Sequence, residues 1–140
     1  MNLDRFVKAQ EIDYEFALKE IKQGRKRTHW MWYIFPQLKG LGYSSMAAYY
    51  GIQNRKEAEA YIAHPVLGTR LLEISKELMK LEGKSAKEIF GSTDEMKLRS
   101  CMTLFYLVSK EAVFQEVLKK YFHGNLDEKT QEILLKNNER

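Results

Sequence analysis

Apolar residues recur along most of the chain at spacings of three and four, the period that gathers them on one side of an α-helix. The clearest stripe is Leu67, Leu71, Ile74, Leu78 and Leu81, which follows Pro65 and stops before Gly83. Pro65 suits the first turn of that helix, where its missing N–H removes no hydrogen bond. Upstream, Tyr14, Ala17, Leu18 and Ile21 predict a helix over residues 13–23 that Gly24 ends. Asn54 with Glu57 three residues on reads as a capping-box start, followed by Ala58, Tyr61 and Ile62 on one face and a stop near His64. Ser85 with Glu88 and Ser92 with Glu95 repeat that signal, the first ahead of a short helix that Gly91 ends. The helix after Ser92 becomes apolar on every side at Leu104-Phe105-Tyr106-Leu107-Val108, so it is expected to run through the middle of the molecule. Phe114, Val117, Leu118 and Tyr121 predict a further helix closed by Gly124, and Asp127 opens the last one through Ile133 and Leu134.

Only residues 30–35 fit two patterns. Trp30, Trp32 and Ile34 alternate with Met31, Tyr33 and Phe35, which suits a doubly buried strand as well as a short helix. The rest of the chain offers no second strand to pair with, and an unpaired strand would leave its backbone groups unsatisfied. A short helix or irregular segment ending at Pro36 is therefore expected, then a loop through Gly40 and Gly42 and a helix "SMAAYY". The fold class that follows is all-α: a compact multi-helix bundle around one central apolar helix, with residues 1–140 forming a single domain. No internal repeat has a solenoid period.

Composition narrows the setting. The 140 residues are 44% hydrophobic, enough for a real core without disulfides or metals. Cys101 is the one cysteine, so no internal disulfide and no Cys-based metal site is expected, and a reducing, cytoplasmic location fits best. The stretch MNLDRFVKAQEIDYEF has no apolar core of the signal-peptide kind, and no apolar run reaches bilayer length. A net charge of +4 leans toward anionic partners, although the acidic residues interleaved with the basic ones also suit ordinary solvated helix faces.

The candidate chemistry begins in "GRKRTHWMW", residues 24–32. Arg25, Lys26 and Arg27 supply fixed positive charge, and Trp30 and Trp32 supply flat apolar faces. That pairing suits a ligand with a phosphate end and a planar end, since cations pair with phosphate and indoles stack on a base. The alternative is that the basic residues cover the end of a helix, favourably placed against its dipole, while the aromatics fill core. His29 is the natural proton-transfer group, or else a side chain that bonds a backbone carbonyl. His64 fits a capping and turn role, and His123 a helix C-terminus. The G-x-G of Gly40 and Gly42, with Ser44 and Ser45 after it, reads either as an anion-binding loop or as a plain loop with an N-cap serine. Asp94 and Lys97 lie one helical turn apart at the start of a buried face, which calls for a mutual ion pair or a distant partner such as Arg70, or for a ligand. Cys101 sits among apolar residues as an inert core thiol. No H-E-x-x-H, P-loop, G-x-S-x-G or zinc-finger spacing occurs, which removes most support for metallohydrolase, kinase and common nucleic-acid modules.

The runs "FVKAQ", "GRKRTHWMWYIFPQLKGLGYSS", "AEAYIAHPVLGTRLLE" and "IFGSTDEMKLRSCMTLFYLV" together resemble the DUF1810 family of small bacterial proteins over nearly the whole chain. The resemblance implies a mainly helical fold and no assigned activity. It draws attention to Gly24, Lys26, His29, Trp30, Trp32, Pro36, Gln37, Gly40, Gly42, His64, Pro65, Arg70, Asp94 and Lys97. Some relatives carry the label calpastatin, which does not transfer: inhibitory calpastatin repeats are disordered, and this composition is that of a packed domain. The reading reached is a pocket where residues 24–42 meet the Pro65 helix and the central helix. Arg25, Lys26 and Arg70 hold the anionic or phosphorylated group of a small nucleotide- or ADP-ribose-like ligand there, Trp30 and Trp32 stack on its planar part, and Gln37, Gly40, Gly42 and Lys97 complete the ligand-binding set. His29 or Asp94 performs any proton transfer, and neither metal nor cofactor is expected. The rival is a noncatalytic interaction protein whose basic face docks an acidic partner, RNA or a second copy of the chain.

Overall fold

The computed structural model describes residues 2–138, and among them the fold is all-α. The described residues form nine helices: α1 (Asp4–Lys22), α2 (Met31–Ile34), α3 (Ser45–Tyr50), α4 (Arg55–Ala63), α5 (Leu67–Lys80), α6 (Ala86–Phe90), α7 (Ser92–Ser109), α8 (Ala112–Phe122) and α9 (Glu128–Asn138). The described residues contain no strand. One isolated parallel bridge, Leu38 with Ile52, ties the loop after α2 to the end of α3.

α1 begins nine residues earlier than its apolar stripe predicts, because its buried side continues through Gln10 to Phe6. A polar residue interrupts the pattern there, yet Gln10 is buried with its amide donating to the Tyr33 carbonyl at 2.7 Å and to the Tyr61 hydroxyl at 2.9 Å. The Pro65 stripe forms α5 as expected, packed on α1, α4 and α8. His64 makes the junction: its Nδ1 accepts from the backbone N–H groups of Val66 and Leu67. The capping residues Ser44, Asn54 and Ser85 each accept from a backbone N–H three positions on, and Ser85 with Glu88 closes a full capping box. At Asn54 the box is incomplete, because the Glu57 side chain accepts instead from Gln53 N–H and from Arg5.

α7 is the central helix, touching α4, α6, α8 and α9. Its enclosed stretch lies earlier than the apolar run indicates: Ser100–Phe105 are buried, while Tyr106, Leu107 and Val108 are half-buried. Ser100 and Thr103 join the buried stretch because their hydroxyls donate to carbonyls one turn back, of Met96 and Arg99. The Ser92/Glu95 cap does not form. Ser92 is already helical, and Gly91, at φ 87°, makes the turn from α6 into α7 as the single residue between them. This direct join brings the first turn of α7 to the candidate site.

Candidate functional site

The site is assembled by the loop between α1 and α2. Gly24, at φ 80°, turns the chain out of α1, and its carbonyl accepts from Lys84 Nζ at 3.0 Å. Lys26 N–H donates to the Ile89 carbonyl at 2.8 Å, which pins the loop to α6 two residues before Gly91. On the other side of the loop stands Glu20, from the last turns of α1. One carboxylate there accepts four hydrogen bonds: from the Arg27 N–H (2.7 Å), the Thr28 N–H (3.1 Å), the Thr28 hydroxyl (2.8 Å) and the Trp30 indole N–H (2.9 Å). Burial alone raises its pKa, but the four donors outweigh that and leave it below the ordinary glutamate value.

Held this way, Lys26 reaches the first turn of α7. Its ammonium lies 3.0 Å from Asp94 Oδ2, and Lys97, one turn further on, lies 3.3 Å from Asp94 Oδ1. The side chains of Lys26, Asp94 and Lys97 are 9%, 18% and 22% exposed, so water screens the cluster only partly. The two indoles flank it: Lys26 Nζ sits 5.1 Å from the Trp30 ring centroid and Lys97 Nζ 4.7 Å from that of Trp32. Two ammonium groups thus share one carboxylate, and the cluster carries one positive charge in excess.

Lys97 forms part of the wall of a cleft of about 500 Å³ together with Gln37, Leu41 and Gly42 from the loop after α2, Ser92, Thr93, Met96 and Ser100 from α7, and Asp127 and Lys129 at the start of α9. Gln37 is fixed by the bridge, its carbonyl accepting from Ile52 N–H at 2.9 Å. Gln37 and Lys97 also border a small adjoining recess with Trp32.

The structure therefore brings together Lys26, Trp32, Gln37, Gly42, Asp94 and Lys97. Trp30 stands at the back of the group but is 1% exposed, with its N–H given to Glu20 and its ring against Phe35 and Phe90. Its faces are core, leaving Trp32 as the indole near the cleft. Arg25 is exposed and takes no side-chain part in the cluster. His29 is exposed outside the cleft, and its contribution is a backbone carbonyl that accepts from the Tyr33 hydroxyl at 3.3 Å. Gly40 lies in the middle of its loop beside Ile133. Arg70 belongs to the α1–α5 interface, where its guanidinium packs 5.1 Å from the Tyr14 ring and 3.5 Å from Gln10 Oε1. Glu20 and Asp127, which build the site, carry no motif. Asp127 could be read only as the helix cap it also is, and Glu20 only from its position one turn before a glycine.

No group of three His, Cys, Asp or Glu side chains among the described residues is placed to hold a metal ion, and no described helix is long and apolar enough to cross a membrane. A helical protein with a lysine–aspartate–lysine cluster whose Lys97 lines a cleft is the class that fold and site define. The chain belongs to the family described as protein of unknown function (DUF1810), whose model matches residues 1–134. It is similar to the crystal structure of the conserved hypothetical protein Rv1873 from Mycobacterium tuberculosis, with a TM-score of 0.94 and 45% identity over 95% of this chain and 96% of that one. No curated protein matches it.

Proposed function

We propose that the chain binds a small anionic, phosphorylated ligand in the cleft beside Lys97. One observation carries the reading: Lys26 and Lys97 converge on the single carboxylate of Asp94, so an uncompensated positive charge stands at a concave wall of ligand size. An anion there completes the charge balance that the fold leaves open, and charge-assisted hydrogen bonds from an ammonium group are among the stronger ones available. Asp94 orients the two lysines in this reading, with each of its oxygens engaged by one of them. Trp32, with Lys97 over one face, gives the mouth of the cleft an apolar edge. The reading assigns no proton transfer to His29 and no ligand contact to Arg70.

A ligand that binds only the folded chain raises its stability, by about 2.7 kcal/mol at one hundred times its Kd. A thermal-shift series with inorganic phosphate and small phosphate esters is therefore expected to show saturable stabilisation, and Lys97→Ala to remove it while keeping the helical circular-dichroism spectrum. Arg25→Ala, at an exposed position away from the cluster, serves as the control for a loss of general charge. No stabilisation by any phosphate compound, or equal loss in both variants, would show that the cluster only serves the fold.

A further inference from the structure

The geometry points to a narrower ligand class: a phosphate monoester of a hydroxyl-rich small molecule, with its phosphate at Lys97 and its hydroxyl groups toward Asp127. This deepens the preceding reading and rests on it.

The cleft is chemically lopsided. Thr93, Met96, Lys97 and Ser100 follow at the i, i+3, i+4, i+7 spacing of one face of α7 and supply its cationic side, backed by Lys26 and Asp94. The start of α9 supplies a carboxylate. Asp127 Oδ2 is occupied as the helix cap, accepting from Thr130 N–H at 3.0 Å and from the Thr130 hydroxyl at 2.6 Å, and Asp127 N–H donates to Thr103 Oγ1 at 2.9 Å. The two bonds from Thr130 fix the carboxylate, and the bond to Thr103 fixes the backbone that carries it. Its second oxygen, Oδ1, accepts no hydrogen bond from the described residues, and Asp127 lines the cleft. A fixed carboxylate oxygen without a protein donor is an acceptor for a donor on the ligand.

Three constraints then select the class. Lys97 and its partners require an anionic group, so a neutral polyol leaves the excess charge unmatched. Asp127 Oδ1 is an acceptor that a phosphate oxygen, also an acceptor, cannot pair with, which disfavours a polyphosphate extending across the cleft. Lys129, beside Asp127 in the wall, disfavours an ammonium donor, whereas a hydroxyl suits Asp127 and the side chains of Ser92, Thr93 and Gln37 alike. A volume of about 500 Å³ lies within the range of small-molecule sites and accommodates a monoester of this kind.

The test is calorimetric titration of the full chain with ribose 5-phosphate, glucose 6-phosphate, inorganic phosphate, tripolyphosphate and free ribose. A sugar phosphate is expected to bind about tenfold more tightly than inorganic phosphate, as one hydrogen bond to a charged acceptor provides. Ribose is expected not to bind. Asp127→Asn retains an oxygen that caps α9, and it should erase the tenfold preference without weakening the binding of inorganic phosphate, which loses a repelling charge from the same cleft. Lys97→Ala should abolish binding of both. Inorganic phosphate or tripolyphosphate binding as tightly as the sugar phosphates overturns this inference and leaves the anion site standing. That comparison uses the unaltered chain, so it decides the matter even if Asp127→Asn fails to fold. Absence of binding by every phosphate compound overturns both readings.

Discussion

Glu20 shows how much of this site depends on a residue that no ligand would touch. The loop after α1 must expose Lys26 to α7 while burying Trp30, and that leaves the N–H groups of Arg27, Thr28 and Trp30 without helix or sheet partners. One carboxylate, 8% exposed, satisfies all of them. Glu20→Ala is expected to lower stability by about 3 kcal/mol, since each buried donor left unmade costs about 1–3 kcal/mol and water reaches some of them. Urea denaturation measures it, and a loss under about 0.5 kcal/mol, the scale of an ordinary surface substitution, would count against the role. The sign of the pH dependence follows from the pKa. The folded value lies below the unfolded one. The stabilisation is therefore fully present above about pH 4.3, the ordinary glutamate value, and is lost as pH falls through the lowered folded value. The stability difference between the parent chain and Glu20→Gln should hold steady from pH 7 to 5 and shrink toward pH 3. A difference that does not change across that range would show that the charge is immaterial.

Between elements, the tightest constraint is where α4 hands over to α5. Gly68 N–H donates to the His64 carbonyl at 2.9 Å, and a Cβ built on Gly68 would stand 2.0 Å from the Ile62 carbonyl oxygen. Backbone rather than a movable side chain occupies the space, so Gly68→Ala must push the two helices apart. A loss of about 3 kcal/mol is expected, read as a lowered midpoint in thermal unfolding, and an unchanged midpoint would mean that the junction yields freely. Nothing in the apolar pattern marks Gly68, because the stripe of α5 passes it by. The same division runs through the rest of the fold. The stripes of α5 and α8, the caps at Asn54 and Ser85 and the short helix before Pro36 are local features, legible from spacing and residue type. What spacing hides depends on partners far along the chain. Gln10 hides the first half of α1 because its burial is licensed by Tyr33 and Tyr61. At the site, the Asp94–Lys97 pair is legible as one helical turn, but the third member, Lys26, arrives through the Ile89 and Glu20 anchors of its loop. Trp30 and Trp32 are two residues apart in a short helical segment and so point in different directions, one into core and one toward the cleft. Arg70, grouped with the site on chemistry, is instead carried by α5 against Tyr14 and Gln10 of α1.

Across the whole molecule, phenol hydroxyls tie the helices to one another. Tyr14 OH donates to Glu73 Oε1 at 2.5 Å and to the Arg70 carbonyl at 3.1 Å, linking α1 to α5, and Tyr33 OH donates to Asp13, linking α2 to α1. Tyr61, fully enclosed in α4, accepts from Gln10. Burial raises the pKa of all three, reinforced at Tyr14 by the Glu73 carboxylate and at Tyr33 by that of Asp13, while Gln10 and Arg70 only partly offset it at Tyr61. Burial also raises Tyr50 and Tyr121, so five of the eight tyrosines are held above their ordinary value. A folded pKa above the unfolded one makes a contribution that is complete below the unfolded value, near 10, and declines as pH rises past it, because the unfolded chain then releases protons the folded chain keeps. The fold should accordingly lose stability on the alkaline side, with each additional proton withheld adding about 1.4 kcal/mol per pH unit to the slope. Urea midpoints from pH 8 to 11.5 measure the decline. Lysine titration in the same range adds to it, so the decisive comparison is with Tyr14→Phe and Tyr33→Phe, each of which removes one withheld proton and should flatten the slope. The phenolate absorbance of the parent chain should stay incomplete until the helical signal is lost. If all eight phenols ionise reversibly near pH 10 while the chain remains helical, these tyrosines are not the buried cross-links between α1, α2 and α5 that the structure makes them.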